Sequence, residues 1–377
     1  MTHKPAVRIG IVGYGLMCKA HAYGYRVAPM LYDLPVEPVV VAVSGRDAAA
    51  VAAAAQAYDI PSHTTDWREL VARDDLDIID VCTPPGTHAE ISAAAALAGK
   101  AVLCEKPMAA TWQQARQLAE TVAHTGTRNA IGFNYRRLPA VALMHDMITN
   151  GAVGRPQMFR ASWMSDEFLD PTIPFDWRFD VAMGGSSIAD LGAHLIDMAL
   201  WMVGDIDSAF ARSTTFTTHR AEGSGSREVT VDEASTVLLD FAGGARGTID
   251  LARTAARRPC DMSVEVNGTT GTIVFDYARL NELQYGTVTD DASLYGLRTI
   301  RAEHVSHPYA AHWWPIGQGV GYGASFVNQV AELLREWPTG QWAPDFAHGA
   351  QVQAVCAAAE QSAATGSWVR ISDITNQ

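Results

Sequence analysis

The sequence predicts an α/β protein of two domains, the first a doubly wound parallel sheet and the second an α/β domain containing antiparallel hairpins. Three observations predict it. The chain has 377 residues, more than a single hydrophobic core usually organises. Short apolar runs alternate with helix-forming segments from residue 7 to residue 133, the order that gives parallel strands with helical crossovers. Beyond them, paired apolar runs flank Gly-containing turns, the pattern of hairpins.

In order along the first domain, set at 1–134, Val7–Val12 reads as a strand that ends in Gly13-Tyr14-Gly15, and a helix starts after it. Pro38–Val43 is the second strand, closed by Ser44-Gly45-Arg46. Asp47–Tyr58 is an Ala-rich helix, alanine being the strongest helix former. Asp66 caps a short helix through Arg73. Leu76–Cys82 is a buried strand before Thr83-Pro84-Pro85-Gly86, and Thr87–Ala98 a helix ending at Gly99. Ala101–Cys104, the helix Thr111–His124 and Arg128–Phe133 complete the series.

The second domain, 135–377, opens with a strand at Pro156–Met164. Glu233–Phe241 and Arg246–Leu251 flank Gly243-Gly244 as one hairpin. Met262–Val266 and Thr272–Asp276 flank Asn267-Gly268 as another. Arg220–Glu228, polar and Gly/Ser-rich, reads as a mobile loop. Ser187–Val203 reads as one helix, and helices at Gly323–Trp337 and Phe346–Thr365 end the chain.

Composition narrows the function. Hydrophobic residues make up 48% and charged residues 18%, with a formal charge of −13. That surface repels nucleic-acid phosphates and anionic membranes, so neither is an expected partner. Met1–Arg8 carries no signal-peptide pattern, and the Ala-rich stretches are too short and broken to span a bilayer. Cys18, Cys82, Cys104, Cys260 and Cys356 are odd in number and lack metal-ligand spacing, which fits free thiols in a reducing cytoplasm.

Ligands of a doubly wound sheet bind beyond the carboxyl ends of its strands. At the first such end, Gly13 and Gly15, followed by Leu16 and Met17, permit a tight turn whose amides and helix dipole receive a pyrophosphate. Cys18 stands where the full fingerprint has its third glycine. At the second end, Ser44 and Arg46 stand where an acid would bind the ribose hydroxyls of NAD. Arg46 either holds the 2′-phosphate of NADP, or merely stacks on adenine or faces solvent.

At a later strand end, Cys104-Glu105-Lys106-Pro107 sets a Glu-Lys pair where a nicotinamide would lie, and the proline confines Lys106 to extended geometry. An ammonium there stabilises a developing alkoxide. In the helix after Gly184-Gly185, Asp190, His194 and Asp197 fall on one face, and His194 is suited to proton transfer near neutral pH. The two glycines are expected to let substrate or cofactor approach closely. A metal could use Asp190 and His194, but no third ligand is evident, so no metal is expected. Trp163, Trp177, Arg178 and the run His307–Gly317, with His312 and Trp313-Trp314, offer aromatic faces and hydrogen bonds for a sugar, or anchors for core or a subunit interface.

Together, Gly13-x-Gly15, Thr83-Pro84-Pro85-x-x-His88, Glu105-Lys106-Pro107, Asn134-Tyr135-Arg136 and Gly184-Gly185…Asp190-x-x-x-His194 resemble the glucose–fructose oxidoreductase / inositol dehydrogenase (Gfo/Idh/MocA) family. The resemblance implies an N-terminal Rossmann domain and a C-terminal α/β domain with a large, mostly antiparallel open sheet, often used for oligomerisation. It implies that Lys106, Asp190 and His194 are catalytic, with Thr83, Pro84, His88 and Glu105 beside the cofactor. It also places Tyr135 at a position that often lines the substrate pocket, where Trp163 and His312, read above from their side chains, would join it as candidate sugar contacts. Sugar or levoglucosan dehydrogenase-like members look most similar, and these generally use NAD, so the balance between NAD and NADP favours NAD.

The expected activity is reversible oxidation of a secondary hydroxyl of a sugar, sugar derivative or cyclitol to a ketone, by a homo-oligomer (dimer or tetramer). The alternatives are a tightly bound, recycled NAD supporting elimination or hydrolysis of a glycoside, and a non-catalytic dinucleotide sensor or scaffold.

Overall fold

The computed structural model describes residues 4–337 and 340–376, so Met1–His3, the start of the segment read for a signal peptide, lie outside the described residues. The chain forms two compact units. One comprises the described residues through Arg137 together with those of Gly321–Ala350, and the other Leu138–Val320 with the described residues from Gln351 onward. The contiguous division at 134/135 therefore differs from the observed one. Gly321–Ala350 joins the first unit.

In the first unit the chain runs β1 (Ala6–Val12), α1 (Leu16–Leu31), β2 (Glu37–Ser44), α2 (Ala48–Ala57), β3 (Ser62–Thr64), α3 (Trp67–Val71), β4 (Ile78–Val81), α4 (His88–Leu97), β5 (Ala101–Cys104), α5 (Trp112–Thr125) and β6 (Asn129–Ile131). The strands form one sheet in the order β3-β2-β1-β4-β5-β6, with every pairing parallel. Residues of β4 and β5 are buried without alternation, as expected of parallel strands covered on both faces. The short β3 carries no apolar run, so nothing local in the sequence marks it. Helix termini follow local chemistry. Asp47 caps α2 by accepting from the Ala50 N–H at 2.8 Å, and Asp66 caps α3 through Arg68 N–H at 2.9 Å. Gly126 ends α5 at φ +65°.

The helix Gly323–Arg335 belongs here because α1 is shaped to receive it. A Cβ at Gly24 would lie 2.9 Å from the Phe326 carbonyl oxygen. The Tyr32 hydroxyl donates to Asn328 Oδ1 at 2.6 Å, and Asn328 Nδ2 donates to the Arg137 carbonyl at 2.8 Å.

The second unit holds α6 (Pro139–Thr149), β7 (Pro156–Met164) and α7 (Ala193–Met202), then β8 (Ile206–Thr214), β9 (His219–Glu222), β10 (Gly225–Glu228), β11 (Ala234–Phe241) and β12 (Arg246–Ala252). β13 (Asp261–Gly268), β14 (Gly271–Asp276), β15 (Glu282–Thr287), β16 (Arg298–Arg301) and β17 (Val369–Arg370) follow. Nine of these strands form one sheet, β16-β15-β14-β13-β7-β12-β11-β8-β17. Only β7 and β12 pair in parallel; the other neighbours are antiparallel. Alternating burial along β13 shows a sheet with one face on a core.

Three expectations change. Arg220–Glu228 is a hairpin, β9 with β10, rather than a loop, and its Arg220 is buried on Glu233 at 3.1 Å. Asn267-Gly268 continues β13 instead of turning; Asn267 pairs with Thr272, and the turn falls just after Gly268. Ser187–Val203 is not one α-helix, because Ile188–Gly192 is a π-turn leading into α7. The five cysteines are all free, four buried and Cys260 half-buried. Among the described residues no helix is long and apolar enough to cross a membrane.

Candidate active site

At the carboxyl end of β1, Gly13 has φ +111°, and a Cβ there would lie 2.6 Å from the Cys82 carbonyl oxygen. Only glycine lets this turn lie against the end of β4. The Gly13 N–H donates to the Ser44 carbonyl at 2.8 Å, joining the ends of β1 and β2. Gly15, by contrast, faces open space, and it starts α1 with no side-chain cap and no acid in the first turn. A helix start without a side-chain cap can offer its first amides to an anion. Leu16 is exposed, Met17 half-buried, and Cys18 fully buried where the third glycine would stand. Its thiol, pushed up to about 12 by burial and then by Asp80, is a neutral packing group.

The second strand's tip divides its residues. Ser44 is fully buried, so its side chain faces the interior; Arg46 is exposed. Asp47, the nearest acid, is engaged as the α2 cap. Thr83 and Pro84 are half-buried after β4. His88 is buried with Nε2 2.6 Å from the Thr83 carbonyl and Nδ1 2.8 Å from the Pro107 carbonyl. The ring thus lies between the Thr83-Pro84 turn and the Glu105-Lys106-Pro107 turn, with a carbonyl oxygen against each nitrogen.

Glu105 follows β5 and is 4% exposed, its Oε2 accepting the Lys106 backbone N–H at 3.1 Å. Sequence reasoning missed what holds its other oxygen: Oε1 lies 2.9 Å from His21 Nε2, and His21 Nδ1 lies 2.8 Å from Asp80 Oδ2. Lys106 is half-buried at the mouth of the sheet, and the Lys106–Pro107 bond is cis. Tyr135 is buried in the 3-10 turn Asn134–Arg137, its ring 5.8 Å from that of Tyr322.

In the second unit, Asp190 sits half-buried on the π-turn, and His194, 4% exposed, on the first turn of α7. The Trp163 ring of β7 lies 5.6 Å from the His194 ring. π-Turns inside helices occur frequently at functional sites. The glycines before this turn have another task than the expected one. Gly184 adopts φ +76°, and a Cβ at Gly185 would lie 2.5 Å from the Arg178 carbonyl oxygen, so they serve internal packing rather than ligand approach.

Buried polar groups hold the π-turn from below. Arg253, fully buried, donates to the carbonyls of Gly185 (2.7 Å), Asp232 (2.7 Å) and Arg178 (3.2 Å). The Ser187 hydroxyl donates to Asp232, and the Ser186 hydroxyl donates to Glu360 at 2.7 Å. Glu167 is pushed up by desolvation and then by the Asp190 charge. His312 lies half-buried on the 3-10 turn Ala310–His312, next to the Trp313–Trp314 pair. None of Arg253, Glu360 or Glu167 carries a motif signal; each is recognised only by its burial or its neighbours.

Comparison with known proteins fits this geometry. Residues 7–133 match the oxidoreductase family with an NAD-binding Rossmann fold, and residues 141–274 match the GFO/IDH/MocA C-terminal domain. The chain is 34% identical to levoglucosan dehydrogenase of Pseudarthrobacter phenanthrenivorans, over 98% of this chain and 99% of that one. Inositol 2-dehydrogenase of Rhizobium meliloti is 28% identical over 74% of this chain and 79% of its own length. Among solved structures, levoglucosan dehydrogenase in complex with NADH and L-sorbose superposes with a TM-score of 0.94 at 35% identity, covering 97% of this chain and 99% of that one. The chain belongs to the Gfo/Idh/MocA family of NAD-binding oxidoreductases.

Proposed function

We propose that the protein reversibly oxidises a secondary hydroxyl of a sugar, sugar derivative or cyclitol to a ketone, with NAD as the hydride acceptor. The observation that carries this reading is the Glu105-Lys106 turn directly after β5, at the carboxyl edge of an NAD-binding sheet. Relatives named for levoglucosan and inositol support the substrate class.

The residues present fit the cofactor. Gly15 leaves open space at an uncapped helix start, and nothing acidic in the first turn opposes a pyrophosphate. Gly13, Gly15, Leu16 and Met17 would hold the phosphates, with Arg46 at the adenosine end and Thr83 and Pro84 toward the nicotinamide. When bound, the nicotinamide supplies the hydride acceptor. Lys106 stabilises negative charge on the substrate oxygen as its proton leaves. His194 takes that proton from the hydroxyl and returns it in the reverse direction. Asp190 orients the substrate, and Tyr135, Trp163 and His312 contact the ring and its other hydroxyls.

The test is a spectrophotometric screen of levoglucosan, L-sorbose, inositol and related polyols with NAD and NADP in parallel. Formation of reduced nicotinamide with a ring polyol, faster with NAD, is expected. A panel in which no polyol reduces either cofactor contradicts the reading.

A further inference from the structure

Directly behind the Lys106 turn lies a charged cluster contained within the first unit. His21 of α1 is 1% exposed, Asp80 of β4 0% and Glu105 4%. Tyr25 donates to Asp80 Oδ2 at 3.0 Å, and the Cys82 thiol to Oδ1 at 3.5 Å. Gly132 leaves room for the Glu105 carboxylate, since a Cβ there would lie 2.8 Å from Oε1.

The topology dictates the meeting. β4 lies between β1 and β5, and α1 begins directly after β1, so its second turn passes the carboxyl ends of both strands. Each ring nitrogen of His21 faces a carboxylate, an acceptor-only group, so the ring carries both protons. Burial opposes that charge, but Asp80 and Glu105 outweigh it and raise His21 to about 10. Tyr25 and Cys82 are pushed well above their ordinary values, by burial and then by Asp80, and remain neutral. Cys18 is neutral for the same causes, and His88, near Glu105 and Lys106, is lowered chiefly by burial.

His21, Asp80 and Cys82 stand close enough to hold a metal. Yet His21 has committed both nitrogens to carboxylates, and the thiol keeps its proton, so the cluster is a completed hydrogen-bond network.

We infer that His21 and Asp80 are positioning residues for Lys106: the imidazolium fixes the Glu105 carboxylate, which fixes the Lys106 amide and so the direction in which the lysine leaves β5. The inference rests on the catalytic reading of Lys106 given above. It adds a coupling, because the helix that starts at the Gly15 anion seat is tied by His21 to the turn that carries the lysine. A fully satisfied buried network of this kind rigidifies what it holds.

The chain has four lysines, Lys4, Lys19, Lys100 and Lys106, so reductive methylation with carbon-13 formaldehyde gives a short NMR spectrum of lysine signals. Lys106→Arg identifies the Lys106 signal. In His21→Gln the Lys106 signal is expected to move or broaden, while the other three stay in place. His21→Gln leaves two buried carboxylates without their cation, so Glu105→Gln, which keeps the His21–Asp80 pair, decides if the first variant does not fold. The same Lys106-specific change is expected there, and the double variant adds no further change to that of Glu105→Gln. With a substrate from the polyol screen, kcat falls on the order of tenfold in either variant, with a much smaller change in KM.

A Lys106 signal unmoved in Glu105→Gln overturns the inference, as does a change spread equally over all four lysines. Full turnover in Lys106→Ala would instead overturn the catalytic reading, leaving the NMR result to stand by itself.

Discussion

Glu360 gives the account a quantitative test. It lies on the helix Phe346–Thr365, accepts the Ser186 hydroxyl, and so supports the residues that lead into the Asp190 π-turn. Burial raises its carboxyl from 4.5 to about 7; the Asp232 charge adds to the rise and the bond from Ser186 opposes it. Cys356 faces it from the same helix and is itself pushed well above its ordinary value by burial, so it stays neutral. Because the folded value lies above the unfolded one, the stabilisation is fully present below pH 4.5 and is lost as pH rises through about 7. At about 1.4 kcal/mol per pH unit, the rise amounts to about 3 kcal/mol. Glu360→Gln keeps an acceptor oxygen for Ser186 and removes the ionisation. Parent and variant should therefore have similar stability near about pH 5, with the variant more stable by roughly 2–3 kcal/mol near about pH 8. Urea unfolding across that range measures the difference. A difference that is constant with pH, or a variant less stable at the alkaline end, refutes the reasoning.

Gly13→Ala forces a side chain into φ +111° and against the Cys82 carbonyl. It should cost about 1–3 kcal/mol in thermal or denaturant unfolding and weaken NADH binding, read by fluorescence titration. Arg253→Met leaves the carbonyls of Gly185, Asp232 and Arg178 without their donor. A loss of about 3–5 kcal/mol is expected, and an unchanged melting temperature contradicts the role given to Arg253.

What was legible in the sequence follows the range of the physics. The strands of the parallel sheet announce themselves because β1, β2, β4 and β5 are near-continuous apolar runs, and the alternation from Pro156 to Met164 matches β7 in full. Gly13, Gly15 and Lys106 were legible because turn glycines and a Glu-Lys-Pro run are local signals. His21, Asp80 and Glu105 were not seen as a group, since 59 and 84 residues separate the bonded pairs. Arg220 lies in a polar, Gly-rich stretch that reads as solvated, yet its guanidinium is buried on Glu233. The π-turn uses the same residue types as an α-helix, so the sequence around Asp190 and His194 reads as one continuous α-helix and the structure does not. Gly24 permits a helix that returns roughly three hundred residues later, a pairing that no periodicity encodes.

In the proposed reaction Lys106 acts on the substrate oxygen rather than merely supporting the cofactor. Lys106→Ala, assayed with NAD and a polyol turned over by the parent, measures it most directly, with NADH affinity determined on the same preparation. A fall in kcat on the order of 100- to 1,000-fold is expected, with NADH affinity little changed. Undiminished turnover, or a loss explained wholly by failure to bind NADH, would contradict it.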